Sequence, residues 1–142
     1  MTAQVSAVSW FDSGGPHLRI YTVNGASINE QCWDGNGPWY AGGYRGEGNT
    51  VGAVSWTDSA RQIHIRVYSA ANGVVSELCW DKDHWYKGAM TASGASASAT
   101  AWVDGGGQVH IRTYVTGADN KVTEYCWDKD KWYVGAYRGA TS

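Results

Sequence analysis

The chain is built from three copies of one segment, and nothing else in it limits the fold so tightly. Its nine Trp fall into three sets: Trp10, Trp33 and Trp39, then Trp56, Trp80 and Trp85, then Trp102, Trp127 and Trp132. Equivalents lie 46 or 47 residues apart, as Trp10 does from Trp56 and Trp80 from Trp127. His64-Ile65-Arg66-Val67-Tyr68 returns as His110-Ile111-Arg112-Thr113-Tyr114 and, more loosely, as His17-Leu18-Arg19-Ile20-Tyr21. Glu77-Leu78-Cys79-Trp80-Asp81 matches Glu30-Gln31-Cys32-Trp33-Asp34 and Glu124-Tyr125-Cys126-Trp127-Asp128. The copies, at about 1–47, 48–94 and 95–142, fill the chain, so a single domain of three repeats is expected.

Each copy reads as four short strands, because alternating apolar and polar residues are broken by Gly, Asn and Asp at close intervals. In the second copy the strands are expected at 51–57, 62–69, 74–81 and 84–90, with turns at Asp58-Ser59, Ala71-Asn72-Gly73 and Lys82-Asp83. The Ala- and Ser-rich stretch from Thr91 to Ala101 aligns with Gly46–Ser55, and its second half reads as an inner strand of small residues suited to a crowded centre. No segment has a helical period. Four strands in such a segment make a propeller blade, and the fold class is all-β. Three blades leave unpaired edges, whereas two chains give a six-bladed ring about a two-fold axis. A homodimer closing a six-bladed β-propeller is the expected assembly.

Composition removes several function classes. Charged residues are 17% of the chain and the formal net charge is −2, which argues against nucleic acid or an anionic membrane as partner. No apolar run approaches the roughly 20 residues of a membrane span. Met1 to Trp10 lacks a basic stretch followed by an apolar one, so no secretory signal is expected. Cytoplasmic synthesis with non-classical release fits, and the place of action is not assigned. The aromatic residues are nine Trp and nine Tyr against one Phe, a choice of rings with polar edges that favours binding surfaces.

Period-two geometry puts His64, Arg66 and Tyr68 on one face of the second strand and Ile63, Ile65 and Val67 on the other. Val75, Glu77 and Cys79 share a face of the third. A hairpin at Asn72-Gly73 then makes Arg66 and Glu77 near cross-strand neighbours. That pair is either a structural ion pair repeated with the blades or half of a sugar site. A guanidinium donates in a fixed fork and a carboxylate only accepts, so together they satisfy adjacent hydroxyls, while indoles supply an apolar plate. The three equivalent Cys read as buried free thiols beside Trp. His17, His64 and His110 read as half-exposed strand residues or as groups orienting Arg or Tyr. Asp81-Lys82-Asp83 and Asp128-Lys129-Asp130 read as turn formers, and no metal or other cofactor is expected.

At these residues the sequence resembles the six-bladed fucose-binding lectins of the Aleuria aurantia lectin type and their short bacterial relatives. The matching motifs are His-Ile-Arg-Val-Tyr (64–68), Glu-Leu-Cys-Trp-Asp (77–81) and Trp-Tyr-Lys-Gly-Ala (85–89), with their counterparts in the other copies. The resemblance implies sites between adjacent blades. One blade supplies Arg, Glu and a small residue after Gly, and the following blade supplies two Trp. One site would use Arg19, Glu30 and Gly43 with Trp80 and Trp85. A second would use Arg66, Glu77 and Ala89 with Trp127 and Trp132. The third would join Arg112, Glu124 and Ala136 to Trp33 and Trp39 of the partner subunit. The implied ligands are L-fucose and fucosylated glycans, with room for the C6 methyl beside the small residue. Trp33 and Trp39 are six apart rather than five, so the first blade's Trp pair is expected to differ.

Two other classes are weaker. A glycosidase needs one asymmetric carboxylate pair, whereas three of the four Glu here repeat beside an Arg. A protein-interaction propeller without sugar specificity is the main alternative, but it leaves the repeated spacing of Arg, Glu and two indoles without a cause.

Overall fold

The structure is a computed structural model that describes residues 4–139, so the outermost residues of the first and third repeats, and the start of the segment read above for a signal, lie outside the described residues. It is all-β. The first repeat forms β1 (Val5–Asp12), β2 (Gly15–Asn24), β3 (Ser27–Trp33), β4 (Tyr40–Ala41) and β5 (Gly46–Glu47). The second forms β6 (Thr50–Thr57), β7 (Ile63–Ala71), β8 (Val74–Trp80) and β9 (Trp85–Ser93), and the third β10 (Ser96–Val103), β11 (Val109–Thr116), β12 (Val122–Trp127) and β13 (Trp132–Val134). Within each repeat the strands pair antiparallel in chain order. In the first, the outer strand is broken, and both β4 and β5 lie against β3.

Local chemistry fixes these meanders. Between β7 and β8 the turn is Asn72-Gly73, with φ of +54° and +78°. A two-residue hairpin turn of the primed type needs positive φ at both positions, which Asn and Gly tolerate best. The register that follows sets Tyr68 opposite Glu77 and Arg66 opposite Cys79. Arg66 and Glu77 are therefore diagonal neighbours, two positions apart on the same face. The stretch from Thr91 to Ala101 splits between the end of β9, which runs past the expected residue 90, and the start of β10.

The sheets stack side by side with their first strands innermost. A Cβ on Gly52 of β6 would overlap the Ala97 carbonyl of β10, so the inner strands approach too closely for larger side chains. Between the first and second sheets, Tyr21, Ile28 and Tyr44 meet Val51, Ile65 and Val67. Between the second and third, Tyr68, Val75 and Met90 meet Val115. Each fully buried apolar side chain contributes roughly 1.5–3 kcal/mol, so the seams hold the sheets together. The Arg-bearing face of one sheet thus looks onto the apolar face of the next.

The stack ends open on both sides. Tyr21 and Tyr68 are fully buried, whereas the equivalent Tyr114 is half-buried, and Trp102 is 45% exposed where Trp56 is 9%. Tyr133 is also exposed on the outer strand β13, as are Trp39 just before β4 and Tyr137 just after β13. What covers a blade inside the chain is missing at its ends.

Candidate functional site

A cleft of about 290 Å³ opens between the first and second sheets, and its walls include Arg19, Glu30, Gly43, Trp80 and Trp85. Its counterpart between the second and third sheets, about 230 Å³, is lined by Arg66, Glu77, Ala89, Trp127 and Trp132. Two of the three expected sets are therefore brought together within one chain. The third is not. Arg112, Glu124 and Ala136 belong to the third sheet and Trp33 and Trp39 to the first, and these sheets flank the second on opposite sides.

The carboxylate at the base of each cleft is held rigidly. Glu77 is 3% exposed and Glu30 is 5% exposed. Tyr68 donates its hydroxyl to Glu77 Oε2 at 2.7 Å, and the Met90 backbone N–H donates to Oε1 at 3.4 Å. In the first cleft the donors to Glu30 are the Tyr21 hydroxyl at 2.7 Å and the Tyr44 N–H at 3.2 Å. A carboxylate has about four acceptor positions, so two remain for hydroxyls in the cleft. The Gly of the Trp-Tyr-x-Gly motif has a definite purpose, since a Cβ on Gly42, Gly88 or Gly135 would overlap the carboxylate of Glu30, Glu77 or Glu124. Gly88→Ala is accordingly expected to cost about 1–3 kcal/mol, typical of overpacking, and to lower the Tm by several degrees. Gly43→Ala, where a Cβ meets nothing within 4 Å, is expected to leave the Tm unchanged in the same calorimetric comparison.

The direct partner of each Arg is an Asp, not the Glu. Arg66 Nη1 donates to Asp81 Oδ1 at 2.7 Å and to the Ile65 carbonyl at 3.0 Å, while its Nε is 4.0 Å from Glu77 Oε2. Arg19 and Arg112 do the same with Asp34 at 2.9 Å and Asp128 at 2.8 Å. Each Asp also accepts from the Tyr of Trp-Tyr (Tyr40, Tyr86 or Tyr133) and bonds Nδ1 of the His (His17, His64 or His110) at 2.6–2.7 Å. The far ring nitrogen of each His reaches Asp12, Asp58 or Asp104 at 2.7–2.9 Å. Reading Asp81 and Asp128 as turn formers is thus corrected: they are the anchors of the site's guanidinium. The His residues take the orienting role, acting on Arg through Asp.

This chain of charges fixes protonation as well as geometry. Asp34 is held down to about 2: burial works against this, but hydrogen bonds from His17, Tyr40 and Arg19 prevail. Asp128 and Asp81 are lowered too, Asp128 chiefly by Arg112. His110 is raised by its hydrogen bonds to Asp104 and Asp128. Burial pushes the Cys32 and Cys79 thiols up to about 11 and about 12. All three Cys are buried and free.

The inner-strand Trp does more than pack. Trp10, Trp56 and Trp102 stack on the His of the adjacent strand at 4.9–5.1 Å. The same indoles sit 4.8–5.1 Å from the guanidinium carbon of Arg19, Arg66 and Arg112. Trp10 and Trp56 line the two clefts. The signal for these residues was present: Asp81 lies two positions beyond Cys79, which opposes Arg66, and so returns to the face of the Arg.

On the facing blade, the paired indoles Trp80–Trp85 and Trp127–Trp132 are tilted at 54° with centroids 5.7 and 5.8 Å apart. Trp85 is braced edge-on by Tyr44 at 5.0 Å. Trp33 and Trp39 differ, at 27° and 6.3 Å. The extra residue takes Trp39 out of the strand: Trp80 pairs with Trp85 across β8 and β9, but β4 begins at Tyr40.

A guanidinium and a carboxylate with unspent donors and acceptors, facing two tilted indoles, can grip adjacent hydroxyls and an apolar ring face together. Fold and clefts define a carbohydrate-binding protein built as half a propeller. The comparisons agree. Residues 77–141 match the model of the fungal fucose-specific lectin family. A fucose lectin from Kordia zhangzhouensis, solved in complex with methyl-fucoside, is 48% identical; the alignment covers 97% of this chain and 100% of that one, with a TM-score of 0.83. A variant of Aleuria aurantia lectin in complex with Fucalpha1-6GlcNAc is 30% identical over 99% of this chain but only 48% of its own, with a TM-score of 0.78. Another Aleuria aurantia lectin structure, described as a six-bladed β-propeller, aligns at 24% identity over 99% of this chain and 65% of its own, with a TM-score of 0.62. Among curated proteins, none matches the chain. The chain belongs to the fucose-specific lectin family.

Proposed function

We propose that the chain is a multivalent lectin for L-fucose and fucosylated glycans, with a sugar in each cleft between adjacent blades. The observation that carries this reading is the doubled cleft: the same Arg, Glu, small residue and Trp pair occur twice, in a chain 48% identical to a fucose lectin along its whole length. Arg19 or Arg66 and Glu30 or Glu77 bond the ring hydroxyls. The Trp pair of the following blade covers the apolar face, and the small residue at Gly43 or Ala89 leaves room for the C6 methyl. Two chains close the ring, and Arg112, Glu124 and Ala136 then meet Trp33 and Trp39 of the partner subunit at a third kind of site. Several weak sites on one ring gain avidity on a crowded glycan surface. The lectin reading assigns the clefts to binding, without catalysis.

Titration with L-fucose is expected to change the intrinsic Trp fluorescence saturably at sub-millimolar to millimolar sugar, and mannose is expected not to. Silence to millimolar fucose, together with a glycan array blank for fucosides, would defeat the reading.

A further inference from the structure

We infer that the cleft between the first and second sheets continues into a second subsite for the saccharide to which fucose is joined, and that the other cleft within the chain lacks its equivalent. The inference rests on the fucose reading above. From Gly43, Trp80 and Trp85, which it shares with the first cleft, a groove runs outward to Arg45, Asp83 and His84.

Arg45 stands in the break between β4 and β5, and its Nη1 donates to the carbonyls of Gly42 at 2.9 Å and Tyr44 at 2.8 Å. Those bonds fix the guanidinium, and among the described residues no carboxylate takes its remaining N–H groups. His84 Nδ1 bonds Asp83 Oδ1 at 2.7 Å, which leaves the ring's other nitrogen and the second carboxylate oxygen facing water. A fixed donor fork, an acceptor and an indole edge in one groove suit a neutral pyranose with hydroxyl or acetamido groups. Asp83 offsets the charge of Arg45, so the groove has no net attraction for an anionic sugar.

The second cleft has different residues at these places. By the repeat, Arg45 becomes Thr91, His84 becomes Lys131 and Leu78 becomes Tyr125. Thr91 also lies inside β9, which is continuous where the first repeat is broken, so nothing at that rim presents a guanidinium. Arg138 of the third repeat is held like Arg45, by the carbonyls of Gly135 at 2.7 Å and Tyr137 at 3.0 Å. The sites of one ring therefore agree on fucose and differ in what they read beside it.

Calorimetric titration of the full chain with two probes, methyl α-L-fucoside and Fucα1-6GlcNAc, tests this. Arg45→Ala is expected to leave methyl fucoside affinity within about twofold and to weaken the disaccharide about tenfold at one class of sites, the loss of one charged hydrogen bond. His84→Ala, at an exposed side chain whose contacts are Asp83 and the Tyr86 ring, is expected to weaken only the disaccharide, by about threefold. Equal loss of both probes in Arg45→Ala would place Arg45 in the fucose pocket and overturn the inference. So would a disaccharide affinity unchanged in both variants. A wild-type chain that ignores methyl fucoside would instead defeat the fucose reading itself, and the subsite with it.

Discussion

Asp81→Ala is expected to weaken fucose at the cleft between the second and third sheets by about 10- to 100-fold, although the carboxylate is not itself one of the expected sugar contacts. The side chain anchors Arg66 at 2.7 Å and His64 at 2.7 Å and accepts from Tyr86. Without it, Arg66 is free to turn onto Glu77, whose Oε2 is already 4.0 Å from its Nε. The donor and the acceptor meant for sugar hydroxyls would then satisfy each other. Asp81→Asn keeps the size and one acceptor and is expected to recover only part of the loss, whereas a merely space-filling role predicts full recovery. The Asp81 side chain is 30% exposed, so its removal should lower the Tm only slightly. Titration with methyl fucoside, read site by site against the untouched first cleft, measures the effect. Unchanged affinity at the second cleft would mean that Arg66 is positioned by other groups.

The second large effect lies at the open edges. Arg112→Ala and Trp33→Ala sit in the third and first blades, yet each is expected to remove the same sugar site, because in the proposed closed ring that site forms only where the third blade of one chain meets the first blade of another. The double variant should bind as many sugars as either single one. Each change should cost at least about tenfold at that site, since one deletes a charged donor and the other an apolar wall. If the two losses add, the residues serve separate sites and the composite arrangement is wrong. The exposed edges give the physical motive: on the third sheet Trp102 is 45% exposed where Trp56 is 9%, and Tyr137 is exposed, while Trp39 is exposed at the first sheet, at the other end of the stack. In a particle of two-chain mass these rings are expected to be covered; a solution mass near the 15.4 kDa of one chain would leave them in water.

Most of the fold was legible because the repeat multiplies every weak signal by the number of blades. One Asn-Gly turn is a modest cue, but a turn, an alternating strand and a Cys-Trp-Asp in fixed order in every copy leave little choice. The clefts were legible for the same reason, since Arg19 and Arg66 occupy equivalent places, as do Glu30 and Glu77. What sequence reading missed is the service around the Arg. Asp81 follows a strand end, where carboxylates usually cap turns, and its return to the face of Arg66 depends on the exact β7–β8 register. Arg66 and Glu77 are near neighbours as expected, but the exact register puts Cys79 opposite Arg66 and Tyr68 opposite Glu77, which leaves room for Asp81 to serve the guanidinium. The stacking of the inner-strand Trp56 on His64 and its approach to Arg66 likewise cross between strands and do not show along the chain. The first repeat's oddity, by contrast, was visible as one extra residue between Trp33 and Trp39, and it emerges as a flatter indole pair and a broken outer strand.

The central claim is that sugar sits between blades and that the ring closes between chains, and counting bound sugar tests both at once. Calorimetric titration of methyl α-L-fucoside, at protein concentrations where light scattering gives a two-chain mass, is predicted to yield about three sugars per chain, one for every blade junction of the closed ring. A count of about two in a particle of that mass would contradict the composite site, and a count of one or none would contradict the inter-blade clefts themselves.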